Sequence, residues 1–246
     1  MLGDGIVTGV KEFHLIFLQM LQDSSFVTPT RQNGWVSQTP IDQESLVKSK
    51  KRVADHGEVF TPSWMVEDML NLIKDESERI DSRFLEPACG DGNFLKVVLQ
   101  RKLATVQSRY GKSEFEQNHH ALFGLMCIYG IELLEDNVQE CRRNLLDVFA
   151  KFLKVDCENV WYKAAKVVLA SNVIHGDALT LKTPENEPIK FPEWGYLGGG
   201  KFQRRDFRYD SLTQISLGGI FDSGEKHEIF APFKTHPPLT VQEIAQ

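Results

Sequence analysis

The stretch Phe84-Leu85-Glu86-Pro87-Ala88-Cys89-Gly90-Asp91-Gly92-Asn93-Phe94-Leu95 constrains the fold more than any other part of the chain. An apolar run ends in a carboxylate, turns through two glycines, and restarts as an apolar segment through Val97, Val98 and Leu99. That order predicts strand, tight turn, helix. Gly90 and Gly92 reach positive φ without a Cβ penalty and let a ligand touch the backbone. The helix that follows presents unpaired N–H groups at the positive end of its dipole. Such a turn sits at the C-terminal edge of a sheet, where nucleoside-bearing ligands lie.

The pattern is not the dinucleotide fingerprint, since position 95 is Leu rather than a third glycine. Glu86 and Asp91 would also repel a pyrophosphate. They suit a ligand with an ammonium and hydroxyls, and S-adenosylmethionine has both. The segment resembles motif I of the S-adenosylmethionine-dependent DNA methyltransferases, most closely the adenine-N6 type with the cofactor motifs first. There it reads Glu/Asp-Pro-Ala-Cys-Gly-x-Gly-x-Phe-Leu, and this chain matches almost throughout. The resemblance implies cofactor binding by Glu86, Pro87, Ala88, Cys89, Gly90, Asp91, Gly92, Asn93 and Phe94.

Upstream, Gly57-Glu58-Val59-Phe60-Thr61-Pro62 leads into a helix with Val66, Met69, Leu70 and Ile73 on one face. Thr61 is the expected N-cap and Pro62 the first helical residue. Phe60-Thr61-Pro62 also resembles motif X of the same family, which folds over the methionine end of the cofactor. Downstream, Ile128 to Leu133 reads as a second strand, and a helix from Asp136 buries Val138, Cys141, Leu145, Phe149 and Phe152. Glu132, closing that strand, is placed to accept ribose hydroxyls and matches motif II. A helix over Trp161–Ala170 precedes a third strand over Asn172–Leu179. There Asp177 resembles the motif III carboxylate that accepts from the cofactor adenine, with the Ala178 backbone holding the ring. The polar stretch Arg101–His120 is long for a single crossover. His119 and His120 in it lack a third ligand at suitable spacing, so both read as surface histidines and no metal is expected.

Adenine transfer needs an Asn/Asp-Pro-Pro-Tyr/Phe motif, whose oxygen and carbonyl accept the amino hydrogens while the aromatic ring stacks on the flipped base. This tetrapeptide is missing from the sequence. Pro192-Glu193-Trp194-Gly195-Tyr196 stands in the expected place, which makes Glu193 and Tyr196 the candidate catalytic pair. Two basic clusters are candidate DNA contacts. One is Lys50, Lys51 and Arg52; the other is Lys201, Arg204, Arg205 and Arg208 with aromatic residues interleaved.

With 246 residues, 41% hydrophobic and 25% charged, the chain reads as one α/β domain with extensions. Expected divisions are an N-terminal helical extension and linker over 1–45, with a helix at Val10–Leu21; a Rossmann-like methyltransferase domain over 46–197; and a basic-aromatic segment with tail over 198–246. The methyltransferase fold is expected to be incomplete at its C-terminal strands. Cys89, Cys127, Cys141 and Cys157 lack C-x-x-C spacing and read as reduced core thiols of a cytoplasmic protein, with neither a secretory leader nor a membrane span. The net charge of −6 disfavours a chain that grips double-stranded DNA alone and favours a specificity or restriction subunit as partner. The resemblance thus implies an adenine-N6 DNA methyltransferase of a restriction-modification or phage-defence system. The alternatives are a catalytically silent S-adenosylmethionine-binding subunit, or a methyltransferase acting on RNA, protein or a small molecule.

Overall fold

The computed structural model describes residues 48–56, 58, 60–209 and 232–246. The expected helix Val10–Leu21 lies outside them. Helices α1 (Lys50–His56), α2 (Ser63–Leu72) and α3 (Lys74–Glu78) lead into strand β1 (Phe84–Glu86). Then come α4 (Asn93–Tyr110), α5 (Glu114–Met126), β2 (Ile128–Glu132), α6 (Glu135–Leu153), α7 (Val160–Asn172) and β3 (Val173–His175). The chain continues through β4 (Lys190–Gly198), β5 (Lys201–Arg208), β6 (Lys234–Thr235) and α8 (Val241–Ile244).

Strands β1, β2 and β3 form a parallel sheet in that order, with Phe84 opposite Ile128 and Gly130 opposite Val173. β2 is buried throughout, as a central strand covered on both faces must be. The pleat sends alternate residues to opposite faces. Phe84, Ile128 and Val173 enter a core built from the helices, while Leu85, Tyr129, Ile131 and Ile174 face a second cluster. On α6, Val138, Cys141, Leu145 and Phe149 are buried at the spacing the sequence predicts.

Several local expectations change. α2 begins at Ser63, and Pro62 rather than Thr61 is its N-cap, held extended at ψ 145° with no side-chain cap bond. The long polar stretch Arg101–His120 is helical almost throughout: α4 runs on to Tyr110, and Ser113 caps α5 by accepting from the Glu116 N–H. Charged residues mask its buried stripe of Leu99, Leu103 and Val106. Lys102 is itself wholly buried, and its ammonium donates to the carbonyls of Arg79 (2.7 Å), Ile80 (3.0 Å) and Ser82 (2.6 Å). Three acceptors for three hydrogens let a cation sit in the core and hold the entry to β1. His119 is also buried, between the rings of Phe115 and Trp161, rather than on the surface. Among the cysteines, Cys157 is exposed and the other three are buried.

Among the described residues, the second sheet face is covered by a hairpin. β4 and β5 pair antiparallel from Lys190–Arg208 to Gly198–Lys201, with β6 beyond β5. Gly198, Gly199 and Gly200 all take positive φ in the turn, so the boundary expected at 197/198 falls inside a hairpin. Ile189, Phe191 and Tyr209 pack against Tyr129 and Ile131, and the Tyr129 hydroxyl donates to the Pro192 carbonyl at 2.9 Å. The far end of the hairpin, Trp194 and Phe202, joins the helical core, as do Val241 and Ile244 of α8. The result is mixed α/β with helices, a three-stranded parallel sheet and a hairpin as successive layers. Among the described residues no helix is long and apolar enough to cross a membrane.

Asn172 joins these layers. Its amide donates to the carbonyls of Met126 (3.0 Å) and Ile128 (2.9 Å), and its oxygen accepts from the Trp194 indole at 3.1 Å. Asn172→Ala strands two buried carbonyls and a buried indole N–H, so it should cost about 3 kcal/mol. Urea denaturation measures the loss, and a change below about 1 kcal/mol would refute this role.

Candidate functional site

The C-terminal ends of the three parallel strands gather most of the residues singled out above. β1 ends at Glu86, β2 at Glu132, and β3 leads through His175 and Gly176 to Asp177. The turn after β1 is pinned to β2 at two points. The Cys89 N–H donates to the Ile131 carbonyl at 3.1 Å, and the Gly90 N–H donates to the Glu132 carboxylate at 2.8 Å. Gly90 lies at φ 53° and Gly92 at φ 87°, the left-handed conformations that favour glycine. A Cβ on Gly130 of β2 would lie 2.7 Å from the Cys89 sulfur, so the strand glycine is what lets the turn press down.

Phe60 packs onto this turn from above. Its ring would be 3.1 Å from a Cβ on Gly90, which places the upstream Phe60-Thr61-Pro62 segment over the glycines. Thr61, Pro62 and Pro87 are half-buried, Ala88 is exposed, and Phe94 packs against the core. Asn93 opens α4, and its side-chain oxygen accepts from the Lys96 ammonium at 3.2 Å.

Three carboxylates converge here. Burial, followed by the charges of Asp91 and Glu132, pushes the Glu86 carboxyl up to about 8. Burial and Glu140 push Asp91 upward, against the pull of Lys96. Glu86 Oε2 and Asp91 Oδ1 are buried without a hydrogen-bond partner among the described residues. Buried polar atoms are ordinarily paired, so two orphaned acceptors at one turn mark a place for a donor. Glu132 differs. One oxygen takes the Gly90 N–H; the other takes the Leu134 N–H at 3.0 Å and the Asn137 amide at 3.4 Å. It braces the turn against the start of α6 as well as facing the edge.

Asp177 stands on the same edge in a tight turn, its carboxylate accepting from the Leu179 N–H at 2.8 Å and the Thr180 N–H at 3.4 Å. Those bonds hold its carboxyl below the ordinary range. Ala178 packs toward the hairpin-side cluster.

The expected catalytic pair is not brought to this edge. Glu193 is ion-paired with Arg83 (3.1 Å) and Arg205 (2.6 Å). Arg83 precedes β1, and the neighbouring Trp194 binds Asn172, which precedes β3. Both mark the N-terminal edge of the sheet, opposite the glycine turn. Tyr196 lies there too, among His120, Phe123 and Phe202. The pattern match had no means of seeing that β4 runs down the sheet face away from the carboxylates.

The basic clusters also change character. Arg204 pairs with Asp206 at 2.7 Å and lies over the Trp194 ring, and Arg205 pairs with Glu193. Lys201 and Arg208 are exposed on β5, as are Lys50 and Lys51 on α1. Arg52 is turned inward to Glu58 and Asp136. Sequence reading passed over Glu58 and Asn137, whose amide donates to Glu58 at 2.6 Å. Neither has a local pattern signal, because their partners are 79 positions apart.

No family model matches the chain, and neither does any curated protein or solved structure. Gly92 tests the turn directly, since a Cβ there would lie 2.7 Å from the Cys141 sulfur at an unfavourable φ. Gly92→Ala should lower stability by about 2–3 kcal/mol in chemical denaturation. An unchanged midpoint would mean that the turn is not held as described.

Proposed function

We propose that this chain binds S-adenosylmethionine at the C-terminal edge of β1–β3 and serves adenine-N6 methylation of double-stranded DNA. One observation carries the reading: the buried, unpartnered acceptors of Glu86 and Asp91 at a left-handed glycine turn, beside a third carboxylate. A phosphate would meet three negative groups there. A ligand offering an ammonium, a sulfonium and hydroxyls supplies the missing donors and charge, so the residues fit this cofactor. Glu86, Asp91 and the turn from Gly90 to Asn93 would hold its methionine part, Glu132 its ribose, and Asp177 with Ala178 its adenine. When bound, the cofactor supplies a methyl group on an electron-poor sulfur. The chain's own part is to orient that group, with Phe60 packed over the turn to keep water off it.

A second reading is favoured by a separate observation. Glu193 and Tyr196 stand at the opposite edge and are engaged in ion pairs and ring packing. The chain would then be a cofactor-binding subunit that depends on a specificity or restriction partner to reach DNA, consistent with its charge of −6. Transfer of labelled methyl to unmethylated DNA separates the readings. Label on adenine N6 supports the first; cofactor binding with no label supports the second; no cofactor binding overturns both.

Two variants probe the carboxylates. Asp91→Ala should weaken S-adenosylmethionine affinity about tenfold by calorimetry, through loss of a charged hydrogen bond worth ~1.5–3 kcal/mol; equal affinity would remove Asp91 from the site. With the Glu86 carboxyl pushed up to about 8, it is neutral at pH 6 and largely anionic above 8. Only the anion attracts a cation more than an amide does. The affinity gap between the natural chain and Glu86→Gln should therefore widen as pH rises from about 6 to 8.5. Stability runs the other way. The unfolded chain releases this proton near 4.5 and the folded chain near 8, so folding stability is lost as pH rises across that window. Glu86→Gln should thus raise the melting temperature at pH 8.5, and a lower one would contradict the burial of an unpaired carboxylate.

A further inference from the structure

Lys48, Arg52 and Glu58 are fastened to the start of α6 by a chain of charged hydrogen bonds that ends at the glycine turn. Arg52 grips Glu58 with two nitrogens, Nε to Oε2 at 2.6 Å and Nη2 to Oε1 at 2.7 Å. The same guanidinium reaches Asp136 on α6 through Nη1 at 2.5 Å and Nη2 at 3.2 Å. Glu58 Oε1 accepts from the Asn137 amide at 2.6 Å, and that amide nitrogen also lies 3.4 Å from Glu132 Oε1. Glu132 in turn accepts from the Gly90 N–H. Lys48 completes the set, its ammonium donating to Asn137 Oδ1 at 2.6 Å and pairing with Glu140. Its nitrogen also stands 5.9 Å over the Phe60 ring.

Asn137 has two amide hydrogens, one for each carboxylate, and Glu58 holds the amide at the shorter distance. The Glu58 side chain is only 7% exposed, so its charge is poorly screened by water. Two anions on one amide need cations beside them: Arg52 pairs directly with Glu58, and Lys48 sits on the Asn137 oxygen. A solvent-facing phosphate contact has a different signature, with a free fork pointing outward.

We infer that Arg52 and Glu58 form a latch on the cofactor site, in which Arg52 is a positioning residue acting through Glu58 and Asn137 on Glu132, and not a phosphate contact. The inference rests on the reading of this edge as the S-adenosylmethionine site. Fastening the latch sets the orientation of Glu132 and holds Phe60 over the turn. Removing Arg52 takes away the direct ion-pair partner of Glu58 and leaves only Lys48 nearby, so Glu58 pulls on the Asn137 amide and loosens its contact with Glu132. Removing both charges leaves a neutral amide at position 58 that makes no such demand.

Calorimetric titration of the full-length chain with S-adenosylmethionine tests this, with circular dichroism to verify folding of each variant. The natural chain should bind, Arg52→Met should bind about tenfold more weakly, and Arg52→Met/Glu58→Gln should recover to within about threefold of the natural chain. Recovery by a second charge removal is not what loss of a phosphate contact or general destabilisation would produce. Undiminished binding by Arg52→Met overturns the latch, as does a double variant no better than the single one. A natural chain that takes up no S-adenosylmethionine overturns the reading of the site itself, and the first titration shows this before any variant is compared.

Discussion

The bond from the Gly90 N–H to Glu132 is the contact on which the site depends, because it ties the turn after β1 to the end of β2. Its formation requires a turn that takes left-handed backbone at Gly90 and Gly92 and a strand with no side chain at Gly130. Those conditions bring the backbone of one βα unit down onto the next. Glu132 is then held from both sides, by the turn and by the start of α6. Glu86 and Asp91 are left close together with unused acceptors. Burial and the charges of Asp91 and Glu132 push the Glu86 carboxyl upward at this edge.

The opposite face of the sheet follows a different logic. A short parallel sheet must bury both faces, and here the second face is met by the β4–β5 hairpin. That packing draws Arg204 and Arg205 of β5 into ion pairs with Asp206 and Glu193. Two of the four residues that look like a basic stripe in the sequence are thereby paired within the fold, while Lys201 and Arg208 stay exposed. Of the aromatic residues interleaved with them, Phe202 packs beside Tyr196 of β4 against the histidines of α5. The hairpin is thus explained by its packing against the sheet and α5.

What was legible came from local rules. The alternation of apolar runs with a glycine turn at 90 and 92, and the periodic stripe of Val138, Cys141, Leu145 and Phe149, indicated strand, turn and helix where they occur. The carboxylates at 86 and 132 were legible because a strand that ends in an acid puts it at the C-terminal edge of the sheet. The helical course of Arg101–His120 was hidden, since Lys102 and His119 interrupt the apolar pattern. Each is tolerated in the core through backbone carbonyl partners, and those partners come from the fold.

The sequence by itself determined the parallel βα framework and the position of the glycine turn, because both follow from short-range backbone preference and hydrophobic period. Only the tertiary structure decided the fate of the charges. Arg52 and Asp136 are 84 residues apart, and Arg83 and Trp194 are 111 apart. A charged run reads the same whether it faces solvent, a phosphate or a buried carboxylate. Which of these holds depends on what folding places opposite it, since the energy of an ion pair lies in distance and desolvation rather than in residue order.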